Sequence, residues 1–248
     1  MDLKPLPHLN FSGTTGPGWN GRGYNRFAML LYYITDRKGF AGTDSQQRVA
    51  MLRRIAEATC AGVDYIQLRE KDLAGTELEG LAREAMHIVR DNSTETKLLI
   101  NRHVPIALAV GADGVHLPSG SPPVSEIRAG WLGHMNRKPL IGVSAHSVED
   151  VLQAQSHTAS FAVLAPIFEK IATNTKGIGL EVLREACALA PTPIFALGGV
   201  NLNNARACLD AGAAGIAGIR IFQRGDVVET VRQLQEVAAA RESGDRMN

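Results

Sequence analysis

The amino-acid sequence predicts a single α/β domain, a closed (β/α)8 TIM barrel, and three observations support that fold class. Short apolar runs of strand length alternate with segments of helical periodicity from about residue 27 onward. The strands are apolar throughout, as expected for parallel strands covered on both faces. The alternation occurs eight times, which favours a closed barrel. We assign residues 27–248 to the barrel and residues 1–26, rich in Gly, Pro and Asn, to a flexible tail.

The first four units each combine a buried strand with an amphipathic helix. The first strand lies in AMLLYYIT, and the helix after it places Val49, Leu52, Ile55 and Ala56 at helical spacing before Gly62. The next three strands are predicted at DYIQL, KLLIN and DGVHL. They precede helices predicted within residues 74–91, 104–110 and 124–129.

The last four strands are predicted at PLIGVS, SFAVLA, PIFAL and AGIAGI. Their helices are predicted at SVEDVLQAQSH, LEVLREACALA, NLNNARACLDAG and DVVETVRQLQEVAAARE. An open doubly wound sheet is the competing architecture, but it usually carries a Gly-rich turn after its first strand. Here the first strand continues into TDRKGF, and a Gly pair comes only after the seventh strand.

The composition argues against some classes of protein and indicates the cellular compartment. The formal net charge of +1 argues against a nucleic-acid binder, which usually has a basic excess. The three cysteines lack metal-site spacing and are read as small apolar residues in a reducing compartment. No apolar run reaches the roughly 20 residues that span a bilayer, and the N-terminus has no signal-peptide pattern. We therefore expect a cytoplasmic protein without membrane partners, and the sequence leaves a homo-oligomer open.

Polar residues follow the predicted strands, where barrels of this class place their active sites. Phosphate sites favour the loops after strands seven and eight. The candidate residues, in chain order, are Gln67, Arg69, Lys71, Asn101, Arg102, His116, Ser144, His146, Thr173, Thr175, Lys176, Gly198, Gly199 and Gly218.

The segment YIQLREKD raises the question of why an amide and two cations alternate where a strand ends. The period of two in a strand puts Gln67, Arg69 and Lys71 on one side. A guanidinium and an ammonium both suit phosphate oxygens, so this side is predicted to bind a polyanion such as a diphosphate. The alternative is that Arg69 and Lys71 only pair with Glu70 and Asp72 at the surface.

The Gly pair and the histidines each allow two interpretations. Gly198 and Gly199 let backbone N–H groups approach a phosphate, with Asn201 placed to cap the next helix, or they form a plain tight turn. His116 fits a structural histidine at a strand end, whereas His146 lies at the mouth and fits a structural or a catalytic role. No histidine has metal-ligand spacing, and we predict no protein metal ligands.

Taken together, YYITD, YIQLREKD, INR, GVHLP, GVSAHS, TNTKG, ALGGV and AGIAGI occur in an order that resembles the thiamine-phosphate synthase family. That family includes the similar TenI-type thiazole tautomerases. The resemblance extends from about Leu30 to Glu242. Q-x-R-x-K followed by G-V-S-x-H is its specific part, whereas the Gly pair is common to many phosphate-binding barrels.

The resemblance implies a synthase, in which hydroxymethylpyrimidine diphosphate loses pyrophosphate and the resulting carbocation is captured by the nitrogen of a thiazole phosphate. Residues implied to hold the diphosphate are Gln67, Arg69, Lys71, Asn101 and Lys176. Those implied to contact the thiazole phosphate are Thr173, Thr175, Gly198, Gly199 and Gly218. Ser144 is implied to lie near the pyrimidine, and His146 matches the histidine of the tautomerase.

Two departures from the family pattern concern magnesium. Strand three usually ends in Asn-Asp, but here it ends in Asn101-Arg102; strand four is usually followed by G-Q-E-D, but here by PSGSPP. Three explanations stay open at this stage. The first is that magnesium is held by the diphosphate and water, or by Glu70 or Asp72. The second is that Arg102 replaces part of the charge of magnesium. The third is that the chain does not perform the metal-dependent reaction. We predict the synthase, with the tautomerase and a non-catalytic precursor-binding protein as alternatives.

Overall fold

The computed structural model describes residues 29–121, 123–169 and 175–245. Eight parallel strands are hydrogen-bonded in sequence order, and β8 also pairs with β1, which closes the barrel. The predicted (β/α)8 fold is confirmed. The segment predicted to be a flexible tail, residues 1–26, lies outside the described residues.

The strands and helices match the predicted alternation, with small shifts at their ends. The strands are β1 (Leu30–Ile34), β2 (Tyr65–Leu68), β3 (Lys97–Asn101), β4 (Gly114–Leu117), β5 (Leu140–Ala145), β6 (Phe161–Leu164), β7 (Ile194–Ala196) and β8 (Gly215–Gly218). The helices are α1 (Asp44–Cys60), α2 (Gly75–Asn92), α3 (Val104–Ala109), α4 (Val124–Leu132), α5 (Val148–Ser156), α6 (Gly179–Leu189), α7 (Ala205–Asp210), α8 (Arg220–Gln223) and α9 (Val227–Asp245). Within the described residues, no helix is both long and apolar enough to cross a bilayer.

Two details after the late strands differ from the sequence-based prediction. The short helix α8 lies between β8 and α9, and it is too brief to produce a periodic pattern. The predicted capping role of Asn201 is wrong, because α7 begins only at Ala205. The side-chain oxygen of Asn201 instead accepts a hydrogen bond from Asn203 N at 2.9 Å. Asparagine competes for nearby backbone groups in this way, which favours turns over helix.

Strand register sorts the core into an inner and an outer layer. Tyr32 of β1 lies opposite Tyr65 of β2, and both belong to the cluster that fills the barrel with Phe161 and Phe195. The neighbouring Tyr33 points the other way, into the larger cluster between strands and helices. Tyr32, Tyr65, Phe161 and Phe195 form what we call the aromatic floor. Their ring centroids lie 5.1 to 5.9 Å apart, as in favourable aromatic pairs.

Two aspartates at the N-terminal end of the barrel each accept a hydrogen bond from the backbone of the preceding strand, but they differ in their ion pairs. Asp64 and Asp113 each accept a 2.8 Å hydrogen bond from a backbone N–H, of Leu31 and Leu98 respectively. Asp113 is also paired with Arg90 at 2.7 Å and Arg137 at 2.9 Å. Asp64 has no ion pair within the described part of the chain, and burial raises its pKa to about 7.

Asp64→Asn should therefore stabilise the protein at neutral pH. The pKa of Asp64 in the folded protein lies above its ordinary value of 3.8, so the folded state holds this proton more tightly than the unfolded state does. The resulting contribution to the free energy of unfolding is complete below pH 3.8 and is lost as the pH rises to about 7. The amide keeps an acceptor for the backbone N–H of Leu31 and never ionises. The gain over wild type, measured by urea unfolding, should be larger at pH 8 than at pH 5 by up to about 3 kcal/mol.

Asp113→Asn is the matched control, because it makes the same change where two arginines compensate the charge. It should lower the free energy of unfolding at pH 8. A gain for Asp64→Asn that is equal at both pH values would contradict the assigned ionisation.

Candidate active site

Four polar side chains occupy inward positions at the C-terminal ends of β2 to β5. Gln67 Nε2 donates to Asn101 Oδ1 at 2.9 Å. Asn101 lies opposite His116 in the register, and His116 Nε2 is 3.0 Å from Ser144 Oγ. The sequence predicted all four at strand ends, and the structure brings them into one layer at the mouth of the barrel.

The aromatic floor supports this layer from below. His116 is buried, and its Nδ1 lies 3.1 Å from the hydroxyl of Tyr32. Its ring also lies against Tyr32 and Phe161, with centroids 5.9 and 6.4 Å apart. Gly142 leaves the space for this arrangement, because a Cβ there would overlap the Phe161 ring and lie 2.9 Å from His116 Nδ1. Burial and the nearby charge of Arg69 lower the pKa of His116 to about 3, so the imidazole is neutral.

Arg69 follows β2 and is half-buried at the rim. Within the described residues its guanidinium makes no hydrogen bond or ion pair, whereas its backbone N–H donates to Thr35 Oγ1 at 3.0 Å. Burial lowers the pKa of Arg69; Asp36 and Glu70 raise it, and the nearby positive charge of Arg102 lowers it again. The guanidinium is thus partly desolvated near two carboxylates and one cation, without a direct ion pair to any of them in the described residues.

Arg102 directly follows β3 in a backbone conformation that an arginine seldom adopts. Its φ of 66° is in the left-handed region, where Asn and Asp are several-fold enriched over other non-glycine residues. Its N–H donates to His116 O at 2.9 Å, which keeps it at the end of the strand. The exposed side chain belongs to the same rim as Arg69.

The acidic residues of YIQLREKD are bound by a different arginine. Arg37 NH1 lies 2.6 Å from Asp72 and 3.3 Å from Glu70, and NH2 lies 2.8 Å from Asp44. Hydrogen bonds from Arg37 and then from Lys38 hold the pKa of Asp72 below its usual value. The surface-pairing alternative for Arg69 is therefore wrong, because Arg37 takes both carboxylates.

Lys71 does not share the geometry predicted for it. The prediction required β2 to continue to residue 71, but the strand ends at Leu68 and Lys71 lies exposed in a turn. Thr175 and Lys176 are exposed in the loop between β6 and α6, on the same face of the barrel as Arg69. Thr173 lies outside the described residues.

The Gly pair brings two loops together. Phe168 N, after β6, donates to Gly198 O at 2.9 Å, and Gly198 and Gly199 have φ values of 95° and 69°. A Cβ on Gly199 would lie 2.7 Å from that of Phe168. The close turn is thus established, and phosphate binding by the pair stays a prediction. Gly218 ends β8 two residues before the first residue of α8, and a Cβ there would overlap Ile221.

His146 lies exposed at the rim with its ring orientation set. Its Nδ1–H donates to Ala165 O at 2.8 Å, so in the neutral ring the lone pair is on Nε2. Its backbone N–H donates to Asp150 Oδ2 at 2.8 Å, a contact between the β5 end and α5 that the sequence reasoning missed. Asp150 is three residues after Ser147, which caps α5 through a hydrogen bond from Asp150 N, and this capping pattern was the available signal.

Comparison with known proteins decides the family. The family model described as thiamine monophosphate synthase matches residues 31–222. The chain belongs to the thiamine-phosphate synthase family. The resemblance inferred from the motifs is confirmed, and with it an enzyme of thiamine biosynthesis.

Relatives in this family are similar over nearly their whole length. A thiamine-phosphate synthase of Methanoculleus marisnigri is 35% identical over 86% of this chain and 98% of its own. One of Caldanaerobacter subterraneus is 33% identical over 87% and 96% respectively. The solved thiamine phosphate pyrophosphorylase of Pyrococcus furiosus aligns with a TM-score of 0.71 and 28% identity, covering 87% of this chain and 98% of that one.

The side chains at the rim do not fit the magnesium site that the family pattern implies. Arg102 occupies the position of one expected aspartate, and Pro118 and Ser119 begin the loop that lacks the other. Glu70 and Asp72, the other carboxylates considered as magnesium ligands, are both paired with Arg37. In the described part of the chain, no three His, Cys, Asp or Glu residues gather as metal ligands.

Replacing Arg37 by alanine should lower the free energy of unfolding much more than replacing Arg69 does. Arg37→Ala leaves Glu70, 5% exposed, without its counter-ion and should cost about 3–5 kcal/mol in the free energy of unfolding. Arg69→Ala removes a cation that anchors no carboxylate and should stay within about 1 kcal/mol of wild type. Urea unfolding at pH 7 measures both. Equal losses would mean that Arg69 is structural.

Proposed function

We propose that this chain joins hydroxymethylpyrimidine diphosphate to thiazole phosphate, releasing pyrophosphate and forming thiamine phosphate. The observation that supports this most is Arg69. A half-buried guanidinium without an ion pair in the described residues, next to Arg102 and adjoining the layer of Gln67 and Asn101, suits a ligand with several negative charges.

The chemistry needs such a surface. The C–O bond between the pyrimidine methylene and the diphosphate breaks, and the bonding electrons leave with the diphosphate. The thiazole nitrogen then forms the new bond to the methylene carbon. Because negative charge develops on the leaving group, fixed cations and amide donors stabilise the transition state. We assign this task to Arg69 and Lys176, and to Lys71 from the turn after β2, with Gln67 and Asn101 as neutral hydrogen-bonding partners.

The thiazole phosphate is assigned to the opposite side of the mouth. Thr173 and Thr175 of the β6–α6 loop would contact its oxygens, together with backbone N–H groups around Gly198, Gly199 and Gly218. The positive φ of both members of the Gly pair supports this role, because an approach of backbone to phosphate needs residues without side chains. Ser144 would lie beside the pyrimidine.

We assign the charge-neutralising role of a divalent cation to the guanidinium of Arg102. It replaces the usual aspartate, and its charge acts on Arg69 at the same rim. A diphosphate between two guanidiniums would be bound by charge-assisted hydrogen bonds, which are roughly twice as strong as neutral ones. This assignment uses no carboxylate and no protein-bound metal.

The wild-type protein, incubated with both phosphorylated precursors, should form thiamine phosphate and keep most of its turnover in EDTA. Arg102→Ala should lower kcat/KM at least about tenfold, since a hydrogen bond to a charged group is worth about 1.5–3 kcal/mol. Arg102→Asp restores the family's carboxylate and should make turnover depend on added magnesium. Chromatographic assay of thiamine phosphate with magnesium or EDTA measures all three.

Arg53→Ala is the control for removing an arginine, because Arg53 is exposed on α1. It should leave turnover unchanged. No thiamine phosphate from the wild type with magnesium present would overturn the synthase assignment and leave the tautomerase and the binding protein as alternatives. Turnover that EDTA abolishes but Arg102→Ala does not change would overturn only the role of Arg102.

The orientation of His146 favours the thiazole tautomerase as a second candidate. Its Nδ1–H is bound to a carbonyl, which leaves Nε2 as a proton acceptor at an exposed position. Tautomerisation of a carboxythiazole phosphate needs a group that moves a proton, whereas departure of a diphosphate needs mainly electrostatic stabilisation. The family relatives named synthase and the cationic rim favour the synthase.

His146→Ala separates these two enzymes. For a synthase, turnover should fall by less than the roughly 10²–10⁴-fold expected on loss of a general acid–base group. Lys176→Ala should reduce it more, because a cation near the leaving group is lost. His157→Ala, at the far end of α5, serves as the control. Loss of tautomerisation in His146→Ala, together with no thiamine phosphate from wild type, would establish the second candidate.

The proposed function also includes a cellular compartment and a set of partners. All three cysteines are free thiols, which suits a reducing compartment, and we place the enzyme in the cytoplasm. Its partners would be the two small phosphorylated substrates, and a homo-oligomer is compatible with this assignment.

A further inference from the structure

We propose that Tyr32 and His116 are positioning residues that fix the direction of the Ser144 hydroxyl, so that Ser144 donates a hydrogen bond to an acceptor atom of the bound pyrimidine diphosphate. The role of Ser144 at the substrate rests on the proposed function. The direction of the hydrogen bonds within Tyr32, His116 and Ser144 rests on the structure alone.

The direction is set at the buried end, by Tyr32. Its side chain is fully buried against aromatic rings, and its hydroxyl lies 3.1 Å from His116 Nδ1. Within the described residues this nitrogen is its hydrogen-bond partner. If Nδ1 carried the imidazole proton, the phenol proton would be buried without an acceptor, which costs the desolvation of that group. Tyr32 therefore donates, and His116 Nδ1 accepts.

The second bond follows from the first. A neutral imidazole has one proton, and with Nδ1 as acceptor that proton is on Nε2. His116 Nε2–H then donates to Ser144 Oγ at 3.0 Å. The hydroxyl of Ser144 thus accepts from below, and its own proton is left to point elsewhere. Ser144 is partly exposed at the mouth, so that proton is available to an acceptor atom of a bound ligand.

The surrounding packing keeps the ring in place. His116 is 4% exposed, its ring lies close to its register neighbour Gly142, where a Cβ would be 2.9 Å from Nδ1, and Phe161 lies against it. The charged group that faces the imidazole is Arg69, whose positive charge opposes a second proton on the ring. The ring is therefore a fixed neutral link and not a base, which distinguishes it from the exposed His146.

The first test needs neither substrate nor turnover. In the full-length protein with ¹⁵N-labelled histidine, the NMR shifts of His116 should report the Nε2–H tautomer from pH 5 to pH 9. His116→Gln identifies the resonance. Tyr32→Phe should abolish this tautomer preference, whereas Tyr33→Phe should not change it. An Nδ1–H tautomer in the wild type, or titration of His116 near its ordinary pKa, would overturn the proposal.

The second test uses the matched pair of tyrosines in turnover. Tyr32→Phe should lower kcat for thiamine phosphate about tenfold, the effect of one hydrogen bond at the transition state, with KM little changed. Tyr33→Phe removes a buried hydroxyl that has no hydrogen-bond partner in the described structure and should leave kcat unchanged. Unfolding curves of both variants check that each is folded.

A double-mutant cycle with Ser144→Ala completes the test. If Tyr32 acts through Ser144, Tyr32→Phe should have no further effect on kcat once Ser144 is alanine. Independent effects that multiply would overturn the proposal. A wild type that forms no thiamine phosphate would instead overturn the proposed function, and the tautomer measurement would then decide the direction of the hydrogen bonds by itself.

Discussion

The site depends on the cluster of ion pairs that the buried Arg37 makes. This guanidinium, 3% exposed, binds carboxylates from the β2–α2 loop and from the start of α1. In this way the carboxylates next to Arg69 in the sequence are paired with Arg37 and not with Arg69. Arg69 and Arg102 are left as a positive surface, and the same contacts fix the end of β1 against the end of β2 through Thr35 and Glu70. One arginine thus shapes the electrostatics of the rim and holds two strand ends together.

Most of the fold could be predicted from the sequence because parallel strands covered on both faces produce apolar runs that helices separate. That pattern has a limit, since a run that is apolar throughout does not tell which residues face inward. Tyr32 and Tyr33 look alike in YYIT, and only the register with β2 and β8 separates the barrel interior from the outer layer. The short α8 and the late start of α7 were missed because turns stabilised by side chains leave no period.

The site was predictable where its residues follow strands. Gln67, Asn101 and Ser144 were found in that way, and they meet in one layer. The contributions of Tyr32 and Arg37 were not found, because they depend on contacts across the barrel. Arg37 reads as a surface charge in TDRKGF, and its partner Glu70 is 33 residues away with no local pattern that links them. Lys71, by contrast, was predicted to lie beside Gln67 and Arg69, because the two-residue period of a strand was extended to residue 71. The strand ends at Leu68, so that period does not hold there.

The aromatic floor determines how substrates enter the barrel and how products leave it. Tyr32, Tyr65, Phe161 and Phe195 fill the barrel from wall to wall, and each is at most 6% exposed. Nothing of substrate size can pass between them to the opposite face, so the barrel is blind-ended. Two substrates would enter, and two products would leave, through one opening. Whichever product lies deeper must wait for the other to depart.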